Sequence, residues 1–408
     1  MAYYNKSPQN NGDGKNAEDR ALDTFANMMI EKIESLGSKD GWQKPWFTEG
    51  TLSWPKNLSG REYNGMNALL LTMLCEKKGY ELPVFCTFNR AVGLNYQTDK
   101  QGNKKQMTDA NGEPLPKVCI NKGEKSFPVM LTSFTIVHKE TKEKILYDDY
   151  KRMSAEEQKE YNVYPKLNVY QVFNVAQTNL KEARPELYAK LEAENKPEKA
   201  LVQEGDMYSF PAVDKMFKEQ KWICPINIEH QDNAFYSISR NQITIPEKAQ
   251  FKDGESWYGT AFHEMVHSTG AENQLNRLHP QSGFGSDEYA REELVAELGS
   301  ALVCQKYGMT KNLKEDSAAY LKSWLGSLKE TPSFIKTTLM DVKKATSILT
   351  QRIDEVSLEM KEQQSEDVAA SVSEENKDAK DMKQSASSND NEQTEVEEEK
   401  VARSAFRR

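Results

Sequence analysis

Five residues constrain this chain more than any other feature: His263-Glu264-Met265-Val266-His267. Two histidines four apart share a face only where the backbone turns at about 3.6 residues per turn. The pattern therefore has chemical meaning on an α-helix, where both imidazoles can converge on one metal ion. Glu264, next to His263, projects far enough round to touch a water on that ion without ligating it. The flanking sequence TAFHEMVHSTG agrees with a helix: Phe262 and Val266 are apolar, and Gly270 is expected to supply the C-terminal stop.

A zinc ion in such a site takes a third protein ligand and leaves one position for water. In the pattern HExxHxxGxxH that ligand would be a histidine at position 273, but Asn273 stands there. The third ligand must then come from elsewhere, and a later helix offers one. YAREELVAELGSALVCQKYG reads as amphipathic, with Leu294, Leu298, Ala301 and Leu302 on its core side. Glu293 and Glu297 lie four apart on a common face, as in glutamate-type zincins. Glu293 is read as the ligand and Glu297 as the carboxylate that holds a ligating imidazole, with the reverse assignment open. Glu292 is expected at the surface or as a cap. Zinc lowers the pKa of a bound water from about 16 towards ~7, and Glu264 is placed to take that proton as general base. The expected reaction is peptide-bond hydrolysis. Residues 233–246, NAFYSISRNQITIP, alternate like one half-exposed strand, either an edge strand that could pair with an extended peptide or, equally, a purely structural strand. Tyr236, Tyr258, Tyr289, His230 and His279 are candidates for stabilising the oxyanion, and the sequence does not choose among them.

The rest of the chain is uneven. With 408 residues, 37% hydrophobic, net charge −9 and mean hydropathy −0.79, it is too polar to fold throughout. Residues 1–20 and 361–408 are expected to be disordered, the latter an acidic tail with 13 carboxylates against 8 bases. No run of about 18 apolar residues predicts a membrane span, and the N-terminus lacks the apolar core of a secretory signal. Five cysteines without a CxxC pair suit free thiols in a reducing cytoplasm. Between the polar ends, helices are expected over 21–36 and within ALLLTMLCEKKGY. The runs PVFCTF, FPVMLTSFTIVH and NVYQVFNV are read as strands, with an exposed insertion at 139–162. The expected architecture is α+β: a mixed domain at 21–180, a helical, charged linker or bridging helix at 181–206, then a mostly helical domain with a small sheet at 207–360.

The first of these domains departs from the acidic whole. Residues 61–130 hold 10 Lys+Arg and 7 Asp+Glu, with Tyr63, Phe88, Tyr96 and Phe127 interleaved among Arg61, Arg90, Lys104, Lys105, Lys122 and Lys125. Aromatic platforms and phosphate-tracking cations are what single-stranded DNA requires. Trp42 and Trp46 read as core anchors of a Trp/Pro-rich loop.

The segments FHEMVHSTG, AENQLNR and EELVAELGSALV resemble the metallopeptidase domain of ArdC-type antirestriction proteins of conjugative and mobile elements. The first half resembles the single-stranded-DNA-binding domain of that family at Trp42 with Pro45-Trp46, Pro55-Lys56-Asn57, Gly60 with Tyr63 to Asn67, Lys122 to Lys125, and Tyr170 to Gln177. The resemblance covers roughly residues 20–350 and leaves out the insertion and the tail. It implies a zinc metallopeptidase tethered to single-stranded DNA, with one zinc per chain on His263, His267 and Glu293 and with Glu264 catalytic. DNA contacts would fall on Tyr63, Phe88, Arg90, Lys104, Lys105, Lys122 and Lys125. The substrate would be a protein or peptide, such as a restriction enzyme or another DNA-binding protein. The alternative is a non-catalytic protein that shields DNA, with the metal site as scaffold.

Overall fold

Apolar residues spaced by three or four build the first helix, α1 (Ala17–Leu36), in the computed structural model, which describes residues 15–36, 53–99, 102–196, 201–205, 207–279, 286–309, 321–330 and 334–365. Leu22, Phe25, Met29 and Ile33 are buried, as their spacing requires. The helix starts at Ala17, so residues 17–20, expected to be disordered, are folded. Trp42, Pro45 and Trp46 lie outside the described residues, as do residues 1–14 and 366–408 of the expected disordered ends.

A five-stranded sheet forms the centre of the N-terminal half, in the order β1-β2-β7-β5-β6. Its strands are β1 (Lys56–Asn57), β2 (Val84–Thr87), β5 (Phe127–His138), β6 (Lys144–Ile145) and β7 (Tyr161–Asn174), while β3 (Tyr96–Thr98) and β4 (Lys104–Gln106) form a separate ribbon. β5 and β7 pair antiparallel over the whole of β5, from Phe127↔Val172 to His138↔Tyr161. One face of the sheet receives α1, with the Phe25 and Phe127 rings 5.9 Å apart. Helix α2 (Met66–Lys78) closes an open edge of β5: the Asn67 amide donates to the Met130 carbonyl (2.7 Å) and accepts from the Met130 N–H (3.0 Å). Helix α3 (Phe88–Gly93) follows β2. The expected insertion begins with β6 on β5 and continues as α4 (Tyr147–Arg152) and α5 (Ala155–Gln158), with Tyr147 stacked on Phe134 at 4.4 Å.

Helix appears where the charged linker or bridging helix was expected at 181–206: α6 (Leu180–Ala183) and α7 (Pro185–Glu194). Leu180, Ala183 and Leu191 join Leu82, Val84, Cys86, Val118 and Val175 in one core. Their apolar stripe is narrow, and the surrounding Lys and Glu residues conceal it in the sequence.

The C-terminal half begins with the ribbon β8 (Val202–Glu204) and β9 (Met207–Ser209), then α8 (Pro211–Lys218) and a three-stranded sheet. That sheet joins β10 (Ile226–Glu229), β11 (Phe235–Ser237) and β12 (Gln242–Pro246) in the order β10-β12-β11. The expected single strand is therefore a hairpin, β11 turning into β12, with Asn241 left-handed at φ 47° and its side chain accepting from the Tyr236 hydroxyl at 2.8 Å. Ser239-Arg240-Asn241 is a turn signal inside an otherwise alternating pattern. β12 is the central strand and β11 an edge. Helices follow: α9 (Gly254–Ser268), α10 (Asp287–Lys306), α11 (Leu321–Glu330) and residues 334–350. The architecture is α+β, with a mixed N-terminal half and a mostly helical C-terminal half that carries a small sheet. A second contact unit starts at Gln351 and is helical as far as it is described, to residue 365, so residues 361–365 are helical where disorder was expected. No described helix is long and apolar enough to cross a membrane.

Candidate metal centre

Helix α9 starts at Asp253, whose carboxylate accepts from the Ser256 N–H at 2.7 Å. It carries the two histidines inwards: His263 is fully buried and His267 nearly so. Gly270 does not act as a left-handed stop. A Cβ there would lie 2.9 Å from Leu278 Cγ, so the residue is small because the returning chain packs onto it. That chain is pinned by the Arg277 and Leu278 N–H groups, both donating to the Gly270 carbonyl at 2.9 Å.

Helix α10 was expected to be amphipathic, but Glu292 to Cys304 are buried all round. It packs against α9, and the Trp324 indole of α11 donates to the Ala290 carbonyl at 2.6 Å. Close approach to α9 depends on Gly299, where an added Cβ would stand 2.9 Å from Val266 Cγ2. Three glutamates of α10 thereby face the histidines of α9.

The two imidazoles meet through their Nε2 atoms, 3.1 Å apart. Glu293 spans both, with Oε2 3.4 Å from His263 Nε2 and Oε1 3.6 Å from His267 Nε2. The outer nitrogens face carboxylates as well. His263 Nδ1 lies 3.4 Å from Glu297 Oε1, looser than a made hydrogen bond but close enough for the charge to act. His267 Nδ1 is 3.2 Å from Glu292 Oε1. Glu292 is in turn held by Arg277, through Nη2 to Oε1 at 2.8 Å and Nε to Oε2 at 3.0 Å. The same guanidinium reaches the Thr269 hydroxyl and the Val266 carbonyl, each at 3.0 Å.

This arrangement fits a metal ion. Donors bonded to a tetrahedral ion at about 2.0–2.1 Å stand roughly 3.3 Å from one another; the two Nε2 atoms are 3.1 Å apart, and each has one Glu293 oxygen near that distance, Oε2 at 3.4 Å from His263 and Oε1 at 3.6 Å from His267. His263, His267 and Glu293 form the cluster, among the described residues, whose ligand atoms all lie within 4.8 Å of one another. Electrostatics agree with a cation-seeking site. Burial would raise the Glu293 carboxyl, but the hydrogen bond with His263 and the charges of both histidines outweigh it and push it down to about 2. Burial would lower His267, yet Glu292, Glu293 and Glu264 raise it above its ordinary value.

Glu264, Glu293 and Glu297 all lie at the site, as does one oxyanion candidate: Tyr289 hydrogen-bonds Glu293 one turn along α10. Tyr258 is engaged elsewhere, donating to Asp214 Oδ1 at 2.6 Å and accepting from the Phe210 N–H at 2.7 Å. Tyr236 bonds Asn241, while His230 and His279 are exposed. Glu292 corrects the sequence reading: it is 5% exposed and buttresses His267. It and Arg277 were missed because each has an ordinary surface-residue context in the sequence. The available signal was the adjacent pair Glu292-Glu293, which on one helix can serve two histidines at once.

The candidate DNA residues are spread over several elements of the N-terminal half. Tyr63 packs edge-on against Phe85 at 6.2 Å, and burial, followed by Cys86, pushes its hydroxyl up to about 12. Phe88 and Arg90 are exposed on α3, Lys104 and Lys105 on β4, and Lys122 and Lys125 on the loop before β5. Lys105 is 3.7 Å from Asp99.

Two family models match this chain. Residues 19–173 match the N-terminal domain of anti-restriction factor ArdC, and residues 211–339 match a zincin-like metallopeptidase domain. The chain is an ArdC-type protein. Its fold recurs in the metal-free crystal structure of the antirestriction protein ArdC from plasmid R388, at 23% identity and TM-score 0.54, covering 82% of this chain and 98% of that one. The Mn(II)-bound structure of that protein gives TM-score 0.55 at 23% identity, over 81% and 97%. Among sequences, two Escherichia coli DNA primases TraC are 26% and 28% identical over 340 and 333 residues. The aligned part is 78% and 79% of this ArdC-type chain but only 26% and 19% of those primases. The uncharacterized protein y4eC of Sinorhizobium fredii is 25% identical over 312 residues, 74% of this chain and 82% of its own length.

Proposed function

We propose that this protein is a zinc-dependent peptidase of the antirestriction type, with its N-terminal half holding single-stranded DNA. The observation that carries the peptidase reading is the shared pocket of two Nε2 atoms and one carboxylate, with Glu264 buried beside them. His263, His267 and Glu293 would hold the ion. Zinc supplies a water acidified to a pKa near ~7 and a Lewis acid for a carbonyl oxygen. Glu264 would be the general base beside the ion, holding a proton on its carboxylate and handing it to the leaving amine. Glu292 holds the outer nitrogen of His267 and Glu297 faces that of His263 at 3.4 Å, which favours a ring orientation that leaves both Nε2 atoms free to bind. Tyr289 steadies Glu293. An extended peptide would add to β11, an edge of the three-stranded sheet. An intact Glu264 favours hydrolysis over a scaffold role, because a structural site has no use for a general base. The match to the ArdC N-terminal domain supports the DNA reading.

The test combines metal analysis with hydrolysis of a fluorescent casein. The full chain should carry one zinc, His263→Ala and His267→Ala should lose it, and Glu264→Ala should keep it while losing hydrolysis. If Glu264→Ala still protects transferred plasmid DNA from restriction at the wild-type level, hydrolysis is not the means of protection and the shielding alternative holds.

A further inference from the structure

The long ribbon β5–β7 leaves one stretch of sheet uncovered. On one face, α1 reaches only its proximal end, at Phe127. The other face is covered by the insertion, with Tyr147 on Phe134. Alternation places Tyr164, Lys166, Asn168 and Tyr170 of β7 on the same face as Phe127, opposite Thr135, Ser133, Leu131 and Val129 of β5; Val129 is buried and the face opens from Leu131 onwards. Tyr164 is 55% exposed, and Tyr170 and Leu131 are each 44% exposed. Ser133, Lys166 and Asn168 bond to one another through the Ser133 hydroxyl, the Asn168 amide and the Lys166 carbonyl. That network leaves the lysine head outside it. Among the described residues, the Lys166 ammonium has no carboxylate partner and neither tyrosine hydroxyl is hydrogen-bonded.

Charge sets both strands apart from the rest of the chain. The chain holds 63 Asp and Glu, yet neither β5 nor β7 contains one. At the chain's average composition, two strands of 12 and 14 residues would carry about four. An acidic protein that keeps carboxylates off one exposed aromatic strip presents a surface suited to a polyanion. Flat rings flanking a cation suit unpaired bases better than a duplex, whose bases are stacked inside.

We infer that the open face of β5–β7 is the platform for single-stranded DNA, with Tyr164 and Tyr170 stacking bases and Lys166 meeting a phosphate between them. The two rings are six residues apart, about 20 Å along an extended strand, so they engage separate bases of one strand. This placement rests on the DNA-binding reading above and replaces Tyr63, whose ring is turned to the core.

The test uses the full chain and a fluorescent oligo-dT of about 16 nucleotides, near the upper site size of a small binding domain. Tyr164→Ala and Tyr170→Ala should each weaken binding roughly 5- to 150-fold, the range of one lost stack. Tyr164→Phe and Tyr170→Phe should bind like wild type, which separates stacking from misfolding. Lys166→Ala should reduce the salt slope by about 0.7. Met340→Ala, an exposed apolar change in the C-terminal half, should alter nothing. If wild type binds and the Ala variants bind equally well, this platform is wrong while the DNA-binding reading stands. If the Ala variants lose duplex binding by the same factor, the rings are not stacking bases and the inference fails. If wild type binds no oligonucleotide, the DNA-binding reading fails and this inference with it.

Discussion

Removing Glu292 tests whether the carboxylate missed in the sequence supports the metal site. Its two oxygens serve His267 Nδ1 and two nitrogens of Arg277, and the Arg277 side chain is 4% exposed. Glu292→Ala would leave that guanidinium buried, with only the Thr269 hydroxyl and the Val266 carbonyl as partners. Breaking a buried pair from one side costs about 3–5 kcal/mol. The second loss is the hydrogen bond that orients a ligating imidazole, typically about 10–100-fold in metal affinity. The metal-free variant should therefore unfold about 3–5 kcal/mol more easily in urea, followed by circular dichroism. Competition against a chelating dye should show the weaker metal binding. A double variant, Glu292→Leu with Arg277→Met, removes both charges and should recover most of the stability, because neither ion is left alone. It should not recover the metal affinity. Stability within about 1 kcal/mol of wild type for Glu292→Ala would refute the buried-pair argument. Restored metal affinity in the double variant would show that Glu292 acts through packing and not on His267.

Gly299→Ala should force α10 away from Val266, costing about 1–3 kcal/mol by overpacking and weakening metal binding; melting with and without metal checks this, and adding Val266→Ala should relieve it. Glu293→Gln should lower metal content below one ion per chain, whereas Glu297→Gln should keep the ion with about 10–100-fold weaker affinity; the opposite result in a metal titration would exchange their roles. Stability of the metal-free protein should also depend on pH. Glu292 and Glu293, lowered in the fold, stabilise it above their ordinary value of 4.5, and Glu293 loses this as pH falls towards about 2. His267, raised in the fold, contributes below its ordinary 6.5 and loses this as pH rises through its folded value. A series of melts should thus peak between pH 4.5 and 6.5 without metal and move upwards with metal, which needs neutral imidazole; a metal-free maximum above pH 8 would contradict the assignment.

Spacing along one element was legible in the sequence because a helix or strand has fixed geometry. His263 and His267 had to share a face, Glu293 and Glu297 had to share another, and Leu22, Phe25, Met29 and Ile33 had to turn inwards together. β5 and the second half of β7 were visible as apolar runs for the same reason, whereas residues 161–167 of β7 were not. Spacing does not say which elements meet, how closely, or from which side. Only the packing of α10 on α9 at Gly299 turned Glu292 from an expected surface residue into the support of His267. Only the fold of residues 271–279 back onto Gly270 brought Arg277 beneath it. Residues 180–194 read as a linker or bridging helix because their narrow apolar stripe acquires meaning only against Val84 and Val118. Tyr63 and Tyr170 both sit in segments that resemble a DNA-binding domain, yet the first packs edge-on against Phe85 while the second stays 44% exposed. Burial is a property of pairs of elements, so the periodicity of one element fixes its faces and leaves its neighbours to the tertiary structure.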